Sequence, residues 1–167
     1  MKTDQYTFIA HSLIKAKKLV ILGVGSELMQ DDAAGIIVTQ NLVKKFGESN
    51  TNFKIFTGYS TPENFSKNII DFNPDHLVII DAANLNKPPG SIINIPIEAI
   101  TDFTLGTHKL SLIMMIKYLS KVINCDYSVI AIQYKSIKFN SQMTKEVKAG
   151  VRQLTGLLSD VIKESFI

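Results

Sequence analysis

Short continuous runs of apolar residues alternate along the chain with segments in which apolar residues recur every three or four positions. The continuous runs are typical of strands covered on both faces, and the spaced segments are typical of amphipathic helices. The runs predict strands at residues 18–24, 52–58, 76–81 and 128–133, with a shorter strand at 91–95 that fits an antiparallel edge. The spaced segments predict helices at residues 5–16, 31–46, 62–70, 108–122 and from about 143 onward.

The alternation of strands and helices predicts an α/β fold: a three-layer sandwich with a mostly parallel, twisted sheet of about five strands and helices on both faces. The 167 residues suffice for one sizeable core, and no repeat, linker or low-complexity tract divides them. We therefore expect residues 1–167 to form a single domain. In such sheets ligands lie beyond the carboxyl ends of the strands.

Composition excludes several classes of protein. The formal charge is only +3, and the basic residues are dispersed, so no nucleic-acid partner is expected. No apolar run approaches the roughly 18 residues of a membrane span, and the first residues lack the apolar core of a signal peptide. Cys125 is the only cysteine, so no intrachain disulfide can form. These features predict a cytoplasmic protein without membrane contact.

Acidic side chains follow the first predicted strand. Residues 21–35 read ILGVGSELMQDDAAG, with a glycine turn followed by the adjacent carboxylates of Asp31 and Asp32. A glycine turn before a helix often binds phosphate, but two carboxylates would repel it and favour a divalent cation. Asp81 at the end of the third strand and His108 at a helix start are expected to reach the same rim. Two carboxylates and an imidazole suit first-row ions, with Ni²⁺ favoured over Mn²⁺ or Fe²⁺ but not distinguished from zinc.

Simpler interpretations stand beside this one. Asp31 can act only at a helix end, through capping and the helix dipole. Asp81 can be a turn residue that closes its strand, and His108 an ordinary exposed helix residue. The apolar residues of the predicted helix 108–122 are expected to be core residues, namely Leu112, Met114, Met115 and Leu119.

Five short motifs together carry a family resemblance. They are residues 23–35 (GVGSELMQDDAAG), 62–64 (PEN), 79–82 (IIDA), 89–92 (PGSI) and 107–108 (TH). In content and order, over roughly residues 18–135, the chain resembles the hydrogenase maturation proteases. These nickel-dependent endopeptidases remove a C-terminal extension from the large subunit of nickel-iron hydrogenase after nickel has been inserted.

The resemblance implies metal ligands at Asp32, Asp81 and His108, with Asp32 and Asp81 also catalytic and no further cofactor-binding residues. It implies that Ni²⁺ arrives with the substrate, so that the purified protein can hold another divalent ion or none. The expected partner is the nickel-loaded hydrogenase large-subunit precursor, and the protein is expected to be a monomer.

The chain departs from the family pattern at three positions. Ser26 stands where the family usually has Asn, Ala33 where it has Gly, and Tyr134 where it has Pro. Ser can form the same local turn hydrogen bonds as Asn, and Ala is a better helix former than Gly. These changes remove no ligand and bear on substrate choice more than on chemistry.

Hydrolysis by this chain is expected to use water. Cys125 falls in a predicted loop away from the site, and neither Ser26 nor Ser60 lies in a Gly-x-Ser-x-Gly elbow. Two mechanisms stay open. The cation polarises the scissile carbonyl or a bound water, or a carboxylate acts as general base while the metal positions the substrate.

Other classes of protein share parts of this pattern. A phosphoacceptor signalling domain, receiver-like and metal-binding, also has an acidic pair after its first strand, an Asp ending its third and a Lys after its last, and Lys135 could supply that Lys. In that design, however, the acidic pair follows the strand directly and His108 has no role. A dinucleotide-binding module is disfavoured because Leu28 replaces the third glycine and the acidic pair opposes pyrophosphate.

Overall fold

The computed structural model describes residues 2–100, 104–105 and 108–167. Its strands are β1 (Leu19–Val24), β2 (Phe53–Tyr59), β3 (His76–Asn84), β4 (Ile92–Ile95), β5 (Thr104–Leu105) and β6 (Asp126–Gln133). Its α-helices are α1 (Lys2–Ile14), α2 (Ala34–Phe46), α3 (Ser66–Phe72), α4 (Lys109–Val122) and α5 (Lys145–Ser165). Short 3₁₀ turns occupy Gln30–Ala33, Pro62–Phe65 and Ile97–Ala99.

Five strands form one continuous sheet in the order β2-β1-β3-β6-β4. The pairs β1–β2, β1–β3 and β3–β6 are parallel, whereas β4 lies antiparallel to β6 at the edge. The two-residue strand β5 adds an antiparallel pair with the end of β3. The predicted five-stranded, mostly parallel sheet with an antiparallel edge is therefore confirmed, and β5 was not predicted.

Side chains alternate between the two faces of the sheet, and each face builds its own core. On one face, residues such as Ile21 and Ile80 pack with α1, α2 and α5. On the other face, residues such as Leu22 and Ile79 pack with α3 and α4. The central strands are buried on both sides, which explains their continuous apolar sequences. This arrangement confirms the three predicted layers.

Several boundaries differ from the prediction. Asp81 does not close β3, because the parallel pairing with β6 continues through Ala83. The acidic pair precedes the α-helix, which begins at Ala34 after a 3₁₀ turn. Thr107, part of the Thr-His motif, lies outside the described residues. No helix in the described ranges combines the length and apolar character needed to cross a membrane.

The core assignment on α4 was right for three of its four residues. Leu112, Met115 and Leu119 are buried, whereas Met114 is 61% exposed. The sequence periodicity therefore located the core face of α4 but placed one exposed residue on it.

Candidate active site

Asp32 is positioned by a close contact between the start of α2 and the sheet. Gly35 lies so near the strand ends that a Cβ atom there would be 2.2 Å from the Ile80 carbonyl oxygen. Gly25 has a φ of +143°, and a Cβ atom there would be 1.9 Å from the Asp32 carbonyl oxygen. Only glycine fits at such positions. The glycines thus allow Asp32, only 4% exposed, to lie at the carboxyl ends of the strands.

The structure brings His108 to Asp32. His108 immediately precedes α4, is 6% exposed, and places its Nε2 atom 3.5 Å from the Asp32 Oδ2 atom. This distance is an ion-pair contact and is long for a hydrogen bond. The Ser60 backbone carbonyl accepts a hydrogen bond from the imidazole ring. A backbone carbonyl that orients the ring in this way is typical of histidines that bind metals.

Asp81 lies beside this pair on the central strand β3 and is completely buried. Its Oδ1 atom accepts a hydrogen bond of 2.8 Å from the Ala82 amide. Its Oδ2 atom, like the Oδ2 atom of Asp32, is buried and has no hydrogen-bond partner. A buried carboxylate oxygen without a partner carries a large desolvation cost, so both atoms fit a site that receives a cation.

The electrostatics of the cluster support the same fit. The pKa of Asp81 is raised to about 7, chiefly by burial and also by the Asp32 carboxylate, while His108 and the Ala82 amide oppose the rise. The pKa of His108 is also raised, chiefly by the interaction of its ring with the Asp32 carboxylate. A divalent cation bound here would replace protons and relieve the repulsion between the two carboxylates.

The cluster is nevertheless not a complete metal centre. Among the described residues, no three His, Cys, Asp or Glu side chains are close enough together to form a ligand set. The structure brings Asp32 and His108 into contact and places Asp81 within electrostatic reach of both. The ligand roles of Asp32, Asp81 and His108 therefore stay a prediction.

Asp31 has a different role from the helix-end one expected of it. It is completely buried, and its side chain makes no capping hydrogen bond at the 3₁₀ turn that contains it or at the start of α2. Its Oδ2 atom accepts hydrogen bonds from the Lys135 amide at 2.9 Å, the Ser136 amide at 3.0 Å and the Thr144 hydroxyl at 2.9 Å. Its Oδ1 atom accepts a fourth from the Thr144 amide at 2.7 Å. These hydrogen bonds link the loop that contains Asp32 with the segment between β6 and α5.

Gln133, at the end of β6, is a second structural residue of the rim. Its Oε1 atom accepts hydrogen bonds from the amides of Leu85 at 2.6 Å and Lys87 at 3.3 Å, which holds the loop after β3. No structural role was predicted for Gln133. These two amides lie more than 40 positions away from Gln133 in the sequence, so no local pattern could reveal the contacts.

Lys135 does not fit the phosphoacceptor interpretation. Its ammonium group bonds the Glu146 carboxylate at 2.7 Å, on the partly exposed start of α5. A receiver-like site requires this cation to accompany the strand-end aspartate. Among the described residues, the groups that shift the pKa of Asp81 are the side chains of Asp32 and His108 and the backbone amide of Ala82, and Lys135 is not one of them.

The thiol of Cys125 is poorly suited to nucleophilic catalysis. Cys125 lies just before β6, at the amino end of the parallel strands, whereas Asp81 and Asp32 lie towards their carboxyl ends. Burial raises the pKa of this thiol to about 12, and Asp126 and Asp75 contribute to the rise. The thiol therefore stays protonated at neutral pH.

Comparison with known proteins assigns the family. The sequence model of the HycI family, described as hydrogenase maturation protease, matches residues 36–161 of this chain. The chain belongs to this family. It is accordingly an endopeptidase of the hydrogenase maturation protease family, which displaces the signalling-domain interpretation. The matched range includes Asp81 and His108, and Asp32 lies just before it.

Individual relatives agree with this family. A candidate hydrogenase maturation protease of Methanocaldococcus jannaschii is 35% identical over 157 residues, which cover 91% of this chain and 92% of that protein. The hydrogenase 3 maturation protease of Escherichia coli K12 is 31% identical over 133 residues, covering 79% of this chain and 83% of the relative.

Solved structures share the fold. The crystal structure of the [NiFe] hydrogenase maturation protease HycI from Thermococcus kodakarensis matches with a TM-score of 0.82 at 24% identity, covering 93% of this chain and 99% of that one. The solution structure of the endopeptidase HycI from Escherichia coli matches with a TM-score of 0.72 at 26% identity, covering 83% and 87% of the two chains.

Proposed function

We propose that this hydrogenase maturation protease removes the C-terminal extension of a nickel-iron hydrogenase large-subunit precursor after nickel has been inserted. In this proposal nickel is part of the substrate, and Asp32, Asp81 and His108 bind it. The observation that carries the proposal is the pair of buried carboxylate oxygens without hydrogen-bond partners, on Asp32 and Asp81, in the cluster that also contains His108.

Each residue has a defined task in the proposed reaction. Asp32 and Asp81 each offer one oxygen, Oδ2, that accepts no hydrogen bond. The other oxygen of Asp81, Oδ1, accepts the hydrogen bond from the Ala82 amide. His108 offers Nε2 while the Ser60 carbonyl holds the ring. Nickel bound with the precursor supplies a Lewis acid near the scissile amide. Cleavage then depends on nickel, because only the nickel-loaded precursor brings a cation that offsets the negative charges of Asp32 and Asp81 and binds both carboxylates.

The proposal also covers the organisation of the chain. We infer that residues 1–167 form one domain that acts as a monomer in the cytoplasm. Support comes from the sheet, which joins strands between Leu19 and Gln133, and from one core cluster that contains both Ile9 and Phe166.

The test compares nickel-loaded and nickel-free precursor. Wild-type protein is expected to shorten only the loaded precursor, with the product identified by mass spectrometry. His108→Ala is expected to abolish cleavage and to weaken Ni²⁺ binding measured by calorimetry. His11→Ala, at an exposed position on α1, serves as the matched control and is expected to retain both. Equal cleavage of both precursors by the wild type would overturn the nickel requirement.

A further inference from the structure

Helix α4 carries an exposed apolar stripe. Leu110, Met114, Tyr118 and Val122 are 74%, 61%, 52% and 49% exposed. Their spacing of four residues aligns them along one face of the helix. The opposite face already supplies the core, so the fold does not need these side chains. Contiguous exposed apolar residues of this size commonly mark a protein interaction site.

The stripe borders a groove rather than a flat surface. A groove of about 480 Å³ lies between α4 and the turn that leads into α3. Leu110, Met114 and Tyr118 form one wall, and Glu63 and Ser66 lie on the other. Methionine and tyrosine are enriched in interfaces because they provide large contact areas that adapt to a partner.

Positive charges beside the stripe favour an acidic partner over a second copy of this chain. Helix α4 contains no Asp or Glu, and Lys117 and Lys121 are both exposed. Neither ammonium group makes an ion pair within the described part of the chain. A second copy docked symmetrically on this face would bring lysines towards lysines. A partner with apolar side chains flanked by carboxylates would complement the surface.

The stripe is continuous with the candidate active site. Leu110 follows His108 by two residues, and Glu63 follows Ser60, whose carbonyl holds the His108 ring, by three. A protein bound along the groove would therefore extend up to the proposed ligands. A precursor that reaches this site must contact the surface around it.

We propose that the stripe on α4 docks the hydrogenase large-subunit precursor through an apolar segment flanked by acidic residues. This inference rests on the proposed function, because it assigns a docking surface for the same substrate. Docking here holds the precursor while its extension enters the site, and it contributes to binding rather than to the chemical step.

Exposed positions on the stripe allow a test that spares the fold. The double substitution Met114→Gln and Tyr118→Gln is expected to weaken binding of nickel-loaded precursor at least tenfold by calorimetry. It is expected to raise KM by a similar factor and to leave kcat within about twofold. Ile14→Gln, at a 47% exposed apolar position on α1, is the matched control and should change neither. Unchanged thermal melting verifies that each variant is folded.

Charge reversal provides an independent test. Lys117→Glu with Lys121→Glu is expected to weaken precursor binding, and added salt should reduce the difference from wild type. Unchanged precursor binding in both double variants would overturn the docking assignment. Sedimentation showing a wild-type dimer that Met114→Gln and Tyr118→Gln dissociates would also overturn it, in favour of self-association.

Binding and cleavage are measured separately, so the two proposals can fail separately. Precursor that binds through the stripe but is not cut would refute the proposed function. Precursor that is cut with unchanged KM by the stripe variants would refute the docking site alone.

Discussion

The adjacent carboxylates of Asp31 and Asp32, in the 3₁₀ turn before α2, have different surroundings. Asp31 accepts four hydrogen bonds, whereas Asp32 leaves its Oδ2 atom without any. A carboxylate whose acceptor capacity is filled stabilises a structure, and one with a free buried oxygen is available to a ligand. The two neighbours are therefore a structural residue and a candidate functional residue, respectively.

Asp31→Asn is expected to destabilise the protein by about 2 to 4 kcal/mol, measured by urea unfolding, because an amide NH₂ group would face backbone donors. Asp71→Asn, at an exposed carboxylate paired with Lys67, is the control and should cost less than about 0.5 kcal/mol. Similar losses in the two variants would contradict the role assigned to Asp31.

Cys125→Ser is expected to retain processing of nickel-loaded precursor at close to the wild-type rate. The physical reason is the raised pKa of the thiol and its position at the opposite end of the strands. Mass spectrometry of the precursor over time provides the measurement. A variant that is folded but inactive would implicate the thiol in the reaction.

At the scale of elements, the contact between α2 and the sheet controls where Asp32 lies. Gly35→Ala is expected to lower the free energy of unfolding by about 1 to 3 kcal/mol, since the new Cβ atom would approach the carbonyl oxygens of Ile80 and Val24. Chemical denaturation measures the change, and precursor processing should fall as Asp32 moves.

Gly156→Ala provides the matched control on α5. A Cβ atom there would meet nothing within 4 Å, and the site is in a helix interior. This substitution should stabilise the protein by about 0.5 to 1 kcal/mol through helix propensity alone. If both alanine variants changed stability in the same direction, close packing at Gly35 would not be the cause.

Strands β3 and β6 are also joined by a buried side-chain pair, His76 Nε2 and Ser128 Oγ, at 2.8 Å. Burial lowers the pKa of His76 below its usual 6.5, although Asp126 and Asp75 act in the opposite direction. Between that lowered pKa and 6.5 the unfolded chain binds a proton that the folded chain does not. The contribution of His76 to the free energy of unfolding should therefore decrease as the pH falls below about 6.5, whereas Asp81 and His108, whose pKa values are raised in the folded protein, contribute in the opposite direction.

His76→Gln keeps a polar group at the same place but cannot titrate. Between pH 7.5 and pH 5.5, the free energy of unfolding of wild type should fall relative to that of the variant in urea unfolding. The contributions of Asp81 and His108 are common to both proteins, so the difference between the two proteins isolates His76. An identical change in the two proteins would show that His76 does not titrate in this range.

At the scale of the whole molecule, the candidate site lowers the stability of the folded protein, and we expect the same residues to be needed for activity. Asp81 is buried on the central strand with a free oxygen and a neighbouring carboxylate. Asp81→Asn removes a buried charge and is expected to raise the free energy of unfolding in nickel-free protein by about 1 to 2 kcal/mol. The same variant should not process nickel-loaded precursor. A less stable variant, or an active one, would contradict this account of Asp81.

The sequence by itself determined the layers of the fold and most of its elements. Continuous apolar runs such as residues 77–80 are typical of strands covered on both faces, and residues 92–95 formed the expected antiparallel edge. The motifs around Asp32, Asp81 and His108 also identified the family. These features are encoded by neighbouring residues, so they can be recognised before the chain is folded.

Only the tertiary structure decided the partners of individual side chains. Asp31 meets residues 104 to 113 positions away, and β3 continues past Asp81 because β6 pairs with it. The exposure of Met114 likewise depends on which face of α4 the sheet covers. Hydrophobic periodicity reports local geometry and average burial, whereas these contacts depend on how distant segments meet in space.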